Sequence, residues 1–255
     1  MVLLLFLLVI NRYESIGVMG AMDDEVSLIK EIMSVEHTDT LAHRIFFIGK
    51  LYDIPCVCVK AGVGKVNSAI TAQILITKYN VDAIIFTGVA GGVNPEINIG
   101  DIVISKRVIH HDYGSITPEG FFPFDTLGFV ADSFLIEVAK KAAKNIKFET
   151  IPQKICKETG HFPRIITGNI VTGDQFIADE KKRKWIEETF HADCVEMEGA
   201  AVAQVCVIYN IPYVIIRSLS DLANEKADID FEQFVSYAAT NSSLIVKGIF
   251  RLLSQ

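Results

Sequence analysis

From about residue 15 onward the chain alternates between two patterns of apolar and polar positions. Short, nearly continuous apolar runs of strand length occupy 15–22 (SIGVMGAM), 44–49, 54–61, 82–89, 101–109, 165–171, 192–197 and 213–219. Between them lie longer stretches whose apolar residues recur every three or four positions, at 62–79, 131–144, 179–190, 199–209 and 231–253. The first pattern predicts strands buried on both faces, the second predicts helices with one buried stripe. Residues 44–49 and 54–61 read as a hairpin around 50–53, and an acidic segment starting at Asp23 opens a further helix. Residues 110–128 form a loop rich in Gly, Pro and Phe, too long and too aromatic for a simple connector. Strands alternating with helices imply an α/β fold. The expectation is a three-layer αβα sandwich with a mixed, mostly parallel central sheet, as a single domain over 14–255.

Residues 1–13 stand apart. The run VLLLFLLVI at 2–10 is too short to span a bilayer but has the length of a signal-peptide apolar region. It lacks preceding basic residues and a small-residue cleavage site. A leader or anchor, an extra strand and an upstream start site stay open, and with them an exported, membrane-associated or cytoplasmic location. Membrane contact is expected only if this segment is retained.

Composition narrows the function. Half of the 255 residues are apolar, enough for a sizeable core. The net charge is −7, and the densest basic run, Lys181, Lys182, Arg183 and Lys184, leads into Trp185 on a helical pattern. A nucleic-acid partner is therefore not expected, because phosphate binding needs a broad basic surface. The cysteines, Cys56, Cys58, Cys156, Cys194 and Cys206, form no CxxC pair and read as buried free thiols. His110 and His111 lack a metal-binding spacing, so no metal site is expected.

In such sheets ligands sit beyond the carboxyl ends of strands. Gly62-Val63-Gly64-Lys65 fails as a phosphate loop, since Val59 and Val66 occupy its other required positions. Thr87-Gly88-Val89-Ala90-Gly91-Gly92 permits close backbone approach to a ligand but is no dinucleotide fingerprint. Asp23, Asp24 and Glu25 either complement a helix dipole or do chemistry. Glu196 and Glu198 either grip a diol or are solvated strand-end acids. Asp221, beside Ser220, either holds a proton for a leaving group or caps the next segment. Phe176 either stacks on a base or packs in the core.

Their joint order resembles the nucleoside phosphorylase/nucleosidase superfamily, and within it the 5'-methylthioadenosine/S-adenosylhomocysteine nucleosidases. The segments are GVMGAMDDEV (17–26), AGVGKVNSA (61–69), TGVAGG (87–92), GDIVIS (100–105), TGDQFI (172–177), VEMEGAAVA (195–203) and RSLSD (217–221). The resemblance implies a nucleoside phosphorylase-like fold and hydrolysis of the adenine–ribose bond of methylthioadenosine, S-adenosylhomocysteine and 5'-deoxyadenosine. It implies Glu25 as general base toward water and Asp221, held by Ser220, as the acid that protonates adenine, with Arg217 beside the water. Phe176 would stack on adenine and backbone groups of Ile177 would read its edge. Met197 and Glu198 would lie under the ribose, Glu198 on its hydroxyls, with neighbouring Glu196, Ala90 and Gly91 in the same site. Met22, Val63 and Phe231 would line the 5' pocket, closed by residues 116–124 of a second copy in a homodimer. Val89 stands where some relatives carry a serine near the water, which leaves water positioning to Glu25 and Arg217. No cofactor is implied.

The chemistry suits these residue types. Breaking an N-glycosidic bond builds oxocarbenium character, so one acid must protonate the base and one carboxylate must activate water. Rival expectations are a phosphorylase, disfavoured by the acids at 23–25, a futalosine hydrolase on the same fold, and a surface-binding role.

Overall fold

A computed structural model describes residues 12–148 and 162–255. The apolar run at 2–10 and Cys156 lie outside the described residues. Among the described residues no helix is long and apolar enough to cross a membrane.

β1 (Ile16–Gly20) is buried at every position and turns directly into α1 (Asp23–Ile32). A meander follows: β2 (Ser34–Leu41), β3 (Arg44–Leu51) and β4 (Ile54–Lys60). α2 (Lys65–Tyr79) leads to β5 (Ala83–Gly92), another fully buried strand, then to β6 (Ile102–His110). The aromatic loop folds into a small hairpin, β7 (Gly114–Thr117) with β8 (Gly120–Pro123), and a short β9 (Phe129–Val130) before α3 (Ser133–Lys144). The last part runs β10 (Ile165–Thr172), α4 (Glu180–Phe190), β11 (Cys194–Glu196), α5 (Gly199–Tyr209), β12 (Tyr213–Asp221) and α6 (Ala227–Leu253).

The main sheet has the order β11-β10-β6-β12-β5-β1-β4-β3-β2. β1, β4, β5 and β12 are parallel to their neighbours within that group, while β12 meets β6 antiparallel, so the sheet is mixed. β11 also pairs antiparallel with β5, through Cys194 opposite Gly92 and Val195 opposite Gly91. That pairing closes β5, β12, β6, β10 and β11 into a ring and makes the ends of β5 and β11 overlap. Glycine matters here: a Cβ on Gly91 would sit 2.7 Å from the Asp221 carboxylate.

Helices cover both faces. Ala72, Leu75 and Ile76 of α2 pack with Ala200, Ala203 and Cys206 of α5 over one face. Val26 and Ile29 of α1, Leu135 and Val138 of α3, and Ile245 and Ile249 of α6 cover the other. This is the expected three-layer α/β arrangement. Cys56, Cys58, Cys194 and Cys206 are buried free thiols, and burial pushes the Cys56 thiol up to about 12.

Three features depart from the sequence pattern. β2 (SVEHTDTL) is exposed along nearly its whole length and holds its place by backbone pairing with β3, so no apolar alternation marks it. The aromatic loop contains strands. α6 begins one turn earlier than its apolar stripe, where Asp228 and Asp230 complement its dipole.

Candidate active site

The six segments singled out at strand ends meet around one cavity of about 190 Å³. Its wall takes Met22 and Glu25 from the start of α1, Val63 from the turn before α2, and Val89, Ala90 and Gly91 from the end of β5. Phe176 follows β10, Glu196, Met197 and Glu198 follow from β11, Ser220 and Asp221 end β12, and Phe231 comes from α6. Two expected residues do not line it. Arg217 lies behind the wall, and the Ile177 side chain packs among Val93, Val171, Ile186 and Val195. Ala21 and Val195 also line it; both fall inside the segments GVMGAMDDEV and VEMEGAAVA, but small apolar side chains carry no chemical signal of their own.

Glu25 is buried, unlike Asp23 beside it, which is exposed and paired with Lys60 at 2.5 Å. The Glu25 carboxylate accepts three backbone N–H groups: Ala21 at 2.5 Å, Met22 at 2.9 Å and Val89 at 3.0 Å. Arg217 Nη1 faces it at 3.6 Å. Burial raises its pKa, while Arg217 and the three donors oppose that rise by favouring the carboxylate. Both oxygens are thus presented as acceptors, as a proton-taking group requires. Ser243 on α6 fixes the backbone below, donating to the Glu25 carbonyl at 2.9 Å.

Arg217 is fully buried and faces three carboxylates. Nη2 bonds Glu196 and lies 3.2 Å from Glu198 Oε2; Nη1 donates to the Val89 carbonyl at 3.3 Å. The guanidinium also stacks 4.6 Å from the centre of the Phe86 ring. Burial alone would depress its pKa, but the carboxylates outweigh it and hold the group above its ordinary value. Three acids against one cation leave an excess of negative charge, and Glu198 relieves it. Burial, with Glu196 and Glu25 nearby, pushes Glu198 up to about 7.

Glu196 and Glu198 are buried, so neither is a solvated strand-end acid. They differ in availability. Glu196 bonds Thr172 and accepts the N–H groups of Glu198 at 3.1 Å and Gly199 at 2.7 Å, which caps α5 and commits its oxygens. Glu198 accepts only the Gly64 N–H, at 2.8 Å, besides facing Arg217, and reaches the cavity.

Asp221 ends β12, buried to 2 % exposure. Its Oδ1 accepts the Ala223 N–H at 2.8 Å and its Oδ2 accepts the Ser220 hydroxyl at 2.9 Å. Burial outweighs both bonds and pushes its pKa up to about 6. Across the cavity mouth, Phe176 is 47 % exposed, which excludes a core role, and its ring meets Phe231 edge-on at 5.8 Å. Met22, Val89, Phe231 and Val235 form an apolar corner with Ala238 and Ala239. The cavity therefore joins a buried acid near neutrality, a carboxylate held by donors, a free aromatic face and an apolar end.

Gly88 carries no side chain that marks it as a site residue in the sequence. A Cβ there would collide with Arg217 Nη1 and Glu25 Oε1. Its place in TGVAGG was the only sequence signal.

Comparison with known proteins agrees with this geometry. The phosphorylase superfamily model matches residues 15–251. A 5'-methylthioadenosine/S-adenosylhomocysteine nucleosidase of Bacillus cereus (strain G9842) is 38% identical over 242 residues, covering 93% of this chain and 99% of the relative. The crystal structure of the nucleosidase of that name from Neisseria meningitidis, in complex with methylthio-immucillin-A, superposes with a TM-score of 0.80. It is 34% identical, with 92% of this chain and 98% of that chain covered. The futalosine hydrolase of Helicobacter pylori superposes with a TM-score of 0.81 at 28% identity, covering 94% and 98%. The chain belongs to the phosphorylase superfamily and, within it, to the 5'-methylthioadenosine/S-adenosylhomocysteine nucleosidases.

Proposed function

We propose that the protein hydrolyses the N-glycosidic bond of 5'-methylthioadenosine, S-adenosylhomocysteine and 5'-deoxyadenosine, releasing adenine and the 5'-substituted ribose. The observation that carries this reading is the contrast between two buried carboxyl groups on one small cavity. Burial raises both, but Glu25 faces Arg217 and three backbone donors that favour its carboxylate, while Asp221, held by Ser220 and the Ala223 N–H, is pushed up to about 6. Two acids separated by environment are what an acid–base hydrolysis needs.

In this mechanism adenine stacks on Phe176, with backbone groups of Ile177 along its edge. Asp221, oriented by Ser220, protonates the base as the C–N bond lengthens. Positive charge that develops on the ribose is met by the negative cluster beneath it. Glu198 accepts hydrogen bonds from the ribose hydroxyls above Met197, and Arg217 and Glu196 hold Glu198 in place. Water attacks the anomeric carbon as Glu25 takes its proton. Met22, Val63, Val89 and Phe231 receive the 5'-substituent, and this apolar end favours an alkylthio group over a phosphate.

We further propose a homodimer. Val66 and Ile70 on α2, Ile208 on α5, and Ile116 and Phe124 around the β7–β8 hairpin are exposed apolar residues. A second copy would bury them and bring its residues 116–124 to the 5' pocket. Sedimentation equilibrium of the purified protein tests this; a monomer at micromolar concentration contradicts it.

The substrate assignment is tested by kcat/KM for methylthioadenosine, S-adenosylhomocysteine, 5'-deoxyadenosine and futalosine measured side by side. The 5'-thioadenosines are expected to lead. A clear preference for futalosine would overturn the assignment while leaving the hydrolytic mechanism standing.

A further inference from the structure

Helix α2 starts without a side-chain cap of its own, after Gly64 at φ +96°. Its first free N–H groups are taken instead by carboxylates from far along the chain. Gly64 donates to Glu198 at 2.8 Å, and the Lys65 backbone donates to Asp174 Oδ1 at 2.8 Å. Asp112, just beyond β6, ties these pieces together. Its Oδ1 accepts the Lys65 ammonium at 2.7 Å and its Oδ2 accepts the Asp174 N–H at 3.0 Å.

The loop that carries Phe176 is thus anchored at Asp174, two residues before the ring. Gly173 rests against His111, where a Cβ would collide with the imidazole. His111 is buried with neither ring nitrogen hydrogen-bonded, so it acts as an apolar wall under the loop.

We propose that Asp112, acting through Lys65 and Asp174, is a positioning residue that locks the 62–65 turn to the 173–177 loop and so sets Glu198, Val63 and Phe176 relative to one another. The inference rests on the nucleoside-binding reading of the cavity. Phe176 and Glu198 hold the base and the ribose in the ground state as well as in the transition state. Losing the lock therefore weakens binding more than it slows the chemical step.

The test uses Asp112→Asn, Lys65→Met and the double variant, in the full-length protein. KM for methylthioadenosine is expected to rise about tenfold in each single variant, the loss of one charge-assisted bond, with kcat within about twofold. The double variant should be no worse than Asp112→Asn alone, because the only bond that Lys65→Met removes is one Asp112→Asn has already weakened. Backbone amide exchange of 62–66 and 173–177, measured without ligand, should quicken while the central strands stay protected. Unchanged exchange in those segments, unchanged KM, or a fall in kcat at constant KM overturns the proposal. Wild-type protein that releases no adenine from a 5'-thioadenosine overturns the nucleoside reading instead, and the exchange experiment still decides whether the lock exists.

Discussion

Replacing Asp221 by asparagine is expected to lower turnover by on the order of 10²–10⁴ and yet stabilise the folded chain at alkaline pH. Burial lifts the Asp221 pKa from an ordinary 3.8 to about 6. A group whose pKa is higher folded than unfolded binds its proton more tightly in the folded state, so stability falls as pH rises between the two values. Below the unfolded pKa both states are protonated and the carboxyl contributes no penalty. Above about pH 6 the folded state must carry a buried carboxylate. A gap of roughly two pH units corresponds to about 3 kcal/mol. Asparagine removes that penalty and can still be satisfied. Its amide oxygen accepts the Ala223 N–H, and its NH₂ donates to Ser220 once that hydroxyl turns to the Ala90 carbonyl, 3.4 Å away. Urea unfolding of both proteins at pH 5 and pH 8 measures the effect. The variant should be more stable at pH 8, and about 1.5 kcal/mol of its advantage should disappear by pH 5. An advantage that does not change with pH, or a variant less stable at pH 8, would refute the claim that burial of a carboxylate governs this residue.

Glu25→Gln and Asp221→Asn should each lower kcat/KM by on the order of 10²–10⁴, the usual worth of one acid–base function; near-normal activity removes that residue's assigned role. The pH profile of kcat/KM should fall above about 6 as free Asp221 loses its proton, and fall on the acid side as Glu25 gains one. In Ser220→Ala the alkaline limb should move to higher pH, because the lost hydroxyl stabilised the carboxylate; a limb that stays in place assigns it to another group. Gly88→Ala should cost on the order of 10² in kcat/KM by displacing Glu25 and Arg217, and wild-type rates would show that the two groups tolerate the shift.

Much of the fold is written in local pattern. The continuous apolar runs that become β1, β5 and β12, and the spaced apolar residues of α3, predict their own elements. β2 leaves no such trace, because nearly all of its residues face solvent and it is held by the backbone of β3 and by the bonds of Lys78 and Tyr79 to Asp39. The closure of the sheet through β11 and β5 is equally silent, since it depends on two glycines meeting a strand far along the chain. At the site, segment order along the chain identifies the residues but not their states. Asp23, Asp24 and Glu25 look alike in sequence. What buries Glu25 alone is its contact with Val89 and Arg217, which no local window contains. The same holds for Glu196, whose oxygens are consumed by Thr172, Arg217 and the start of α5, and for Asp112, whose partners come from two other loops.

The most direct test of the central claim is adenine release from methylthioadenosine by the purified protein in phosphate-free buffer, repeated with added phosphate. Hydrolysis by Glu25-activated water predicts rapid release without phosphate, free 5-methylthioribose as the second product, and no stimulation when phosphate is added. Release that requires phosphate, with a ribose 1-phosphate as product, would contradict it.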